Sequence, residues 1–205
     1  MNYIAHRSGA ILVTVGTLQV LNIMNVEIKS LEIAVLTGAC IMGAYFPDVD
    51  HPDSHISNKM SIFIMLTKVL VLLPLLVVHI LNAINNFLFF RKVKSDIFAL
   101  EHREITHAPL IWLAFFIPIK IWCGNDIFCN YLFGGFFLGV FSHLVLDLIA
   151  GGLPLLYPFK LDRIKLPCNI RTGSMEERRI YGIMNLISLI NVIILLSTGS
   201  KMLYF

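Results

Sequence analysis

The chain has 205 residues, 57% of them hydrophobic and only 14% charged, with a formal net charge of +3 and a mean hydropathy of +0.79. Soluble domains run at roughly 45–50% apolar and about 25% charged residues. The composition therefore excludes a disordered chain and a long basic nucleic-acid arm, and it argues against a soluble globular enzyme. It fits an all-α, multi-pass membrane protein, with residues 1–205 forming one domain that has no linker and no internal repeat.

A spanning helix needs about 20 mostly apolar residues. The first candidate is 9–26. No small-residue cleavage site stands out after it, so it reads as a retained helix rather than a signal peptide. The second, 31–46, is short and ends at a polar run, Pro47-Asp48-Val49-Asp50-His51-Pro52-Asp53-Ser54. Its prolines favour a stiff extended turn. In an extended segment Asp48 and Asp50 point the same way, which suits two oxygen ligands on one metal or on a pair. The stretch 61–90 is too long for one ordinary span and holds Lys68, Pro74 and His79. We expect a break or reversal near Pro74, with both ends on one face. His79 reads as a packing residue, and Lys68 as a side chain reaching for the interface.

Next comes His102-Arg103-Glu104-Ile105-Thr106-His107, before the third span, Pro109–Cys123. Neutral imidazoles are common zinc ligands, a guanidinium suits an anionic group, and Thr106 is placed to cap the following helix. The fourth span, Ile127–Ala150, carries His143 and Asp147 four residues apart, hence on one helix face. Its glycines 134, 135 and 139 permit close helix packing. The fifth span is 180–200, giving about five spanning helices plus the proline-broken segment.

Topology ties these clusters together. If 47–60, 102–107 and 151–179 share a face, that face holds Arg7, Lys59, Arg91, Lys92, Lys94, Arg103, Lys160, Arg163, Lys165, Arg171, Arg178 and Arg179, against Lys29, Lys120 and Lys201 on the other. Excess Lys and Arg marks the cytoplasmic face. His6, one turn before the first span, then falls on the same face. Of the cysteines, Cys123 and Cys129 flank an external turn, where they either bridge or remain two thiols at a helix corner. Cys168 faces the reducing side and stays a thiol.

His6, the PDVDHPDS run, HREITH and SHLVLD followed by Leu156-Tyr157-Pro158-Phe159 resemble the YdjM-like family over about residues 6–160. That family comprises bacterial inner-membrane proteins described as metal-dependent hydrolases, some under DNA-damage control. The resemblance implies ligands drawn from His6, Asp48, Asp50, His51, His102, His107, His143 and Asp147. Histidine with carboxylate and no thiolate set suits a divalent transition metal, Zn²⁺ or Mn²⁺ foremost and Fe²⁺ next, as one or two ions. The expected activity is hydrolysis of an amphiphilic ester or phosphoester at the cytoplasmic headgroup level of the inner membrane. Asp50 or Asp53 would be the base and Arg103 the grip on negative charge. Membrane lipids are the expected partners, with a lipid or lipid-linked substrate and no nucleic acid. The competing classes are a metal-ion transporter and a structural or regulatory membrane protein with a metal staple.

Overall fold

The computed structural model describes residues 1–50, 106–157, 162–168 and 170–198, with backbone alone at 49 and 50. The described residues form five α-helices: α1 (Tyr3–Ile23), α2 (Ser30–Tyr45), α3 (Pro109–Cys123), α4 (Ile127–Ala150) and α5 (Met175–Ser197). Four of them, with α2 running on to Asp48, are long and apolar enough to cross a membrane, and α3 is a shorter apolar helix. No strand is present among the described residues; Leu153 and Ile164 make one isolated bridge. The break expected near Pro74, Lys68 and His79 lie outside the described residues.

The bounds of α3 and α4 fall where the apolar runs place them. Those of α1 and α5 do not, and capping explains both. α1 starts at Tyr3 because the Asn2 side chain accepts from the Ala5 amide at 2.9 Å. α5 starts at Met175 because Ser174 accepts from the Glu177 amide at 3.2 Å. Its first turn carries Glu176, Glu177, Arg178 and Arg179, which a hydropathy criterion rejects and a helix N-terminus tolerates.

The segment after α2 is a further difference. Phe46–Asp50 forms a 3₁₀ turn, not the extended run expected from its prolines. A proline in a first helical turn gives up an amide that has no partner there anyway, so Pro47 lets the helix tighten rather than stop it. With three residues per turn, positions 48 and 50 no longer share a face.

Packing centres on α2 against α4. A Cβ at Gly139 would overlap the Cys40 carbonyl oxygen, and one at Gly43 would overlap the Phe136 carbonyl. Glycine at both positions lets the two backbones touch, as small residues do between membrane helices. α1 lies across this pair, and Ala10, Cys40 and Ala44 are buried together. The Cys40 thiol donates to the Ala10 carbonyl at 3.5 Å. α5 rests on α1 and α4 through Met184, which is buried with Met1, Ala5 and Leu146. Most of its other side chains are exposed, as on a helix facing lipid.

The two ends of the bundle differ. At one end α3 turns into α4, and Cys123 and Cys129 form a disulfide with Cα atoms 5.5 Å apart. The alternative of two thiols at this corner is thereby corrected: the tight turn of two antiparallel helices brings the pair within bridging distance. Lys120 donates to Asn130 beside it. Cys40 and Cys168 are free. The starts of α1, α3 and α5 and the ends of α2 and α4 meet at the other end.

Candidate metal centre

The end of α4 carries His143 and Asp147 on its buried face, one turn apart. The small-residue seam brings α2 so close that its Ala44 carbonyl lies 2.7 Å from His143 Nδ1. The last carbonyls of a helix have no intrahelical partner, and a carbonyl only accepts. Nδ1 therefore carries the proton and donates it, and a neutral His143 ring keeps its lone pair on Nε2.

His107 enters two residues ahead of α3. Its Nδ1 lies 3.0 Å from Thr106 Oγ1. The Thr106 carbonyl accepts from Trp112 Nε1 at 2.7 Å, and Trp112 packs edge-on against Phe46. Thr106 thus holds the His107 ring and the entry to α3 rather than capping it. The capping position belongs to Ala108, with Pro109 following as the first helical residue. Asp48 arrives from the 3₁₀ turn after α2.

These four side chains converge. One ligand atom from each of Asp48, His107, His143 and Asp147 lies within 4.8 Å of the others. His107 Nε2 is 3.5 Å from Asp48 Oδ1, 3.2 Å from Asp147 Oδ2 and 3.3 Å from His143 Nε2. His143 Nε2 is 3.6 Å from Asp48 Oδ1 and 3.5 Å from Asp147 Oδ2. A tetrahedral ion with bonds of about 2.0–2.1 Å puts neighbouring donors about 3.3 Å apart. These separations, 3.2–3.6 Å, are close to that edge length, and both imidazoles turn an Nε2 into the cluster. The donor set is two imidazoles and two carboxylates, with His107, His143 and Asp147 fully buried and Asp48 27% exposed. The cluster fits a divalent metal ion. Burial pushes the His107 imidazole down, but hydrogen bonds accepted by the Asp147 and Asp48 carboxylates, with their charges, outweigh it, so its pKa lies above the ordinary histidine value.

His6, from the first turns of α1, stacks on His143 with ring centroids 3.7 Å apart. Its Nε2 is 3.5 Å from Asp147 Oδ1, and the Met1 amino nitrogen is 2.9 Å from the same oxygen. The sequence motifs thus bring together Asp48, His107, His143 and Asp147, with His6 alongside. His51, Asp53, His102 and Arg103, and the Asp50 side chain, lie outside the described residues.

Motif reading misses three contributors. The Ala44 carbonyl has no side-chain signal at all. Thr106 reads as a helix cap in the sequence but holds the His107 ring instead. Glu177 is fully buried and accepts from the Asn2 amide and the Gly173 amide, each at 2.6 Å. It ties the start of α1 to the start of α5. Its signal was available, since Ser174-x-x-Glu177 is a capping-box pattern.

The YdjM inner membrane protein family matches residues 1–202. The chain is also 27% identical over 148 residues to the Bacillus subtilis (strain 168) protein named "Uncharacterized protein YvsG", covering 72% of this chain and 71% of that one. No solved structure matches. A chain matched along nearly its whole length, with apolar helices long enough to cross a bilayer and a His/Asp cluster fit for a metal, is a membrane protein that belongs to the YdjM inner membrane protein family.

Proposed function

We propose that the protein is a membrane-embedded, metal-dependent hydrolase that acts on an amphiphilic ester or phosphoester at the cytoplasmic headgroup level. The observation that carries this reading is the convergence of Asp48, His107, His143 and Asp147 at a spacing that suits a metal ion. A bound Zn²⁺ or Mn²⁺, the ions this donor set suits best, supplies Lewis acidity toward water and toward a carbonyl or phosphoryl oxygen. The chain's own groups do the rest. Ala44 and Thr106 orient the two imidazoles, and such outer partners set both geometry and ligand basicity. Asp50 or Asp53 takes the proton from water, and Arg103 holds the anionic substrate. His51 and His102 complete the ligand set implied by the family resemblance.

Two further observations support the choice of an amphiphile on the inner side. A cavity of about 270 Å³ runs between α3 and α4 from Pro109, two residues from His107, along Trp112, Phe116, Phe137 and Phe141. Its walls suit a hydrocarbon chain. The Cys123–Cys129 disulfide lies at the opposite end of these helices. Disulfides persist in oxidising compartments, which supports a cytoplasmic position for the cluster, as does the Lys and Arg distribution. A transport site would favour the bilayer midplane and broken helices, whereas these donors lie at helix ends.

The test is turnover by purified protein on a panel of phospholipids, lipid-linked phosphates and soluble phosphoesters, with and without Zn²⁺ or Mn²⁺. We expect metal-dependent release from a membrane-borne substrate that His143→Ala abolishes. Metal binding without turnover of any panel member would favour the metal-staple reading.

A further inference from the structure

Asp147 has two oxygens, and they face different groups. Oδ2 belongs to the four-donor cluster, 3.2 Å from His107 Nε2 and 3.5 Å from His143 Nε2. Oδ1 faces away, toward His6 Nε2 at 3.5 Å and the Met1 amino nitrogen at 2.9 Å. His6 is 1% exposed, yet neither of its ring nitrogens has a hydrogen-bond partner. Buried polar groups are almost always paired, and an orphan calls for an explanation. Packing explains the ring's place against His143 but not its idle nitrogens. An apolar side chain would fill the same space without that desolvation cost. The distance from His6 Nε2 to Oδ1 falls in the range found among the four clustered donors, which is the donor spacing of a common ion.

We propose that Asp147 bridges two metal ions: one at Oδ2 with Asp48, His107 and His143, and a second at Oδ1 held by His6. The inference rests on the metal reading above and extends it from one ion to a pair. The stacked imidazoles of His6 and His143 then serve different ions, each paired with a different oxygen of one carboxylate. A bridging carboxylate also assigns unequal consequences to its neighbours. Loss of His6 empties one position, and loss of Asp147 empties both.

The experiment is Mn²⁺ loading of the purified full chain in detergent, read by elemental analysis and electron paramagnetic resonance. The wild type is expected to bind two Mn²⁺ per chain with a spin-coupled spectrum. His6→Gln is expected to bind one, with the uncoupled six-line signal of a single ion, and Asp147→Asn to bind none at the same concentration. Circular dichroism and a single elution peak establish that each variant is folded. If the His6 variant does not fold, the wild-type spectrum alone decides. A coupled pair supports the proposal, and saturation at one uncoupled ion overturns it. Two coupled ions retained in folded His6→Gln would also overturn it. Saturation at one ion that His143→Ala removes would sink the pair while leaving the hydrolase reading intact.

Discussion

The two ends of the bundle solve the problem of holding helices together in different ways. At the α3–α4 turn the contacts are covalent or exposed: the Cys123–Cys129 disulfide, the Lys120–Asn130 pair, and Asp126 accepting from the Cys129 amide at 2.5 Å. At the opposite end the groups are buried and ionisable. His6, His107, His143 and Asp147 lie within reach of one another at 1% exposure or less. Such a cluster is costly in a membrane protein. An end that needs only to be closed uses a crosslink and exposed hydrogen bonds. An end that buries three imidazoles around a carboxylate has the donor chemistry to hold a cation.

The sharpest way to break that contrast is Asp147→Ala. It removes the carboxylate shared by His6, His107 and His143 and should lower metal affinity by at least about 100-fold, as read by equilibrium dialysis, with the disulfide unaffected. Gly139→Val attacks the seam that carries Ala44 to His143. The new Cβ meets the Cys40 carbonyl and lies 2.7 Å from the Ala44 amide nitrogen. Overpacking of this kind costs about 3 kcal/mol when backbone must shift, to be read as an early unfolding transition in detergent.

Cys123→Ser tests the other end. Opening a loop of this length costs about 2 kcal/mol in the chain-entropy account, and metal content should stay at the wild-type level. In intact cells, after mild reduction, an impermeant thiol reagent should reach Cys123 or Cys129 before Cys168, and the opposite order would invert the topology. The smallest effect is that of pH. A proton on His107 Nε2 excludes a metal there, and its pKa is raised above the ordinary 6.5. Affinity should therefore fall as pH drops, beginning above pH 6.5 and changing about tenfold per unit for each proton displaced. Mn²⁺ titrations at several pH values measure it.

Much of this architecture is legible in the sequence, and the exceptions have physical causes. α3 and α4 are apolar from end to end, so hydropathy alone bounds them. α1 and α5 begin with capping and charged residues, whose helix-forming contacts are local hydrogen bonds and not burial. The cluster is legible because histidine and aspartate seldom border apolar spans without a reason, and because charge asymmetry puts 47–60 and 102–107 on one face. Asp48 and His107 do meet, at 3.5 Å. What motif reading could not supply is the orientation of each ring. That depends on the Ala44 backbone carbonyl, which has no side-chain signature; the glycines of α4 mark a close packing seam but not the helix that fills it. Phe46–Asp50 departs from the extended run its prolines suggest because proline disfavours helix interiors but not helix beginnings.

The Glu177 carboxylate, joining the amides of Asn2 and Gly173, has a consequence for how the protein is made. The group that pins the start of α1, the helix carrying His6, lies near the beginning of α5, 175 positions further along the chain. Contacts so distant in sequence form late, after the loss of chain freedom they require. The tie at the start of α1 can thus form only once residues 173–177 are made, and a nascent chain stalled before residue 173 would hold the four donors with the start of α1 untied. Severing that tie in the finished protein, with Glu177→Ala, would return the start of α1 to its untied condition.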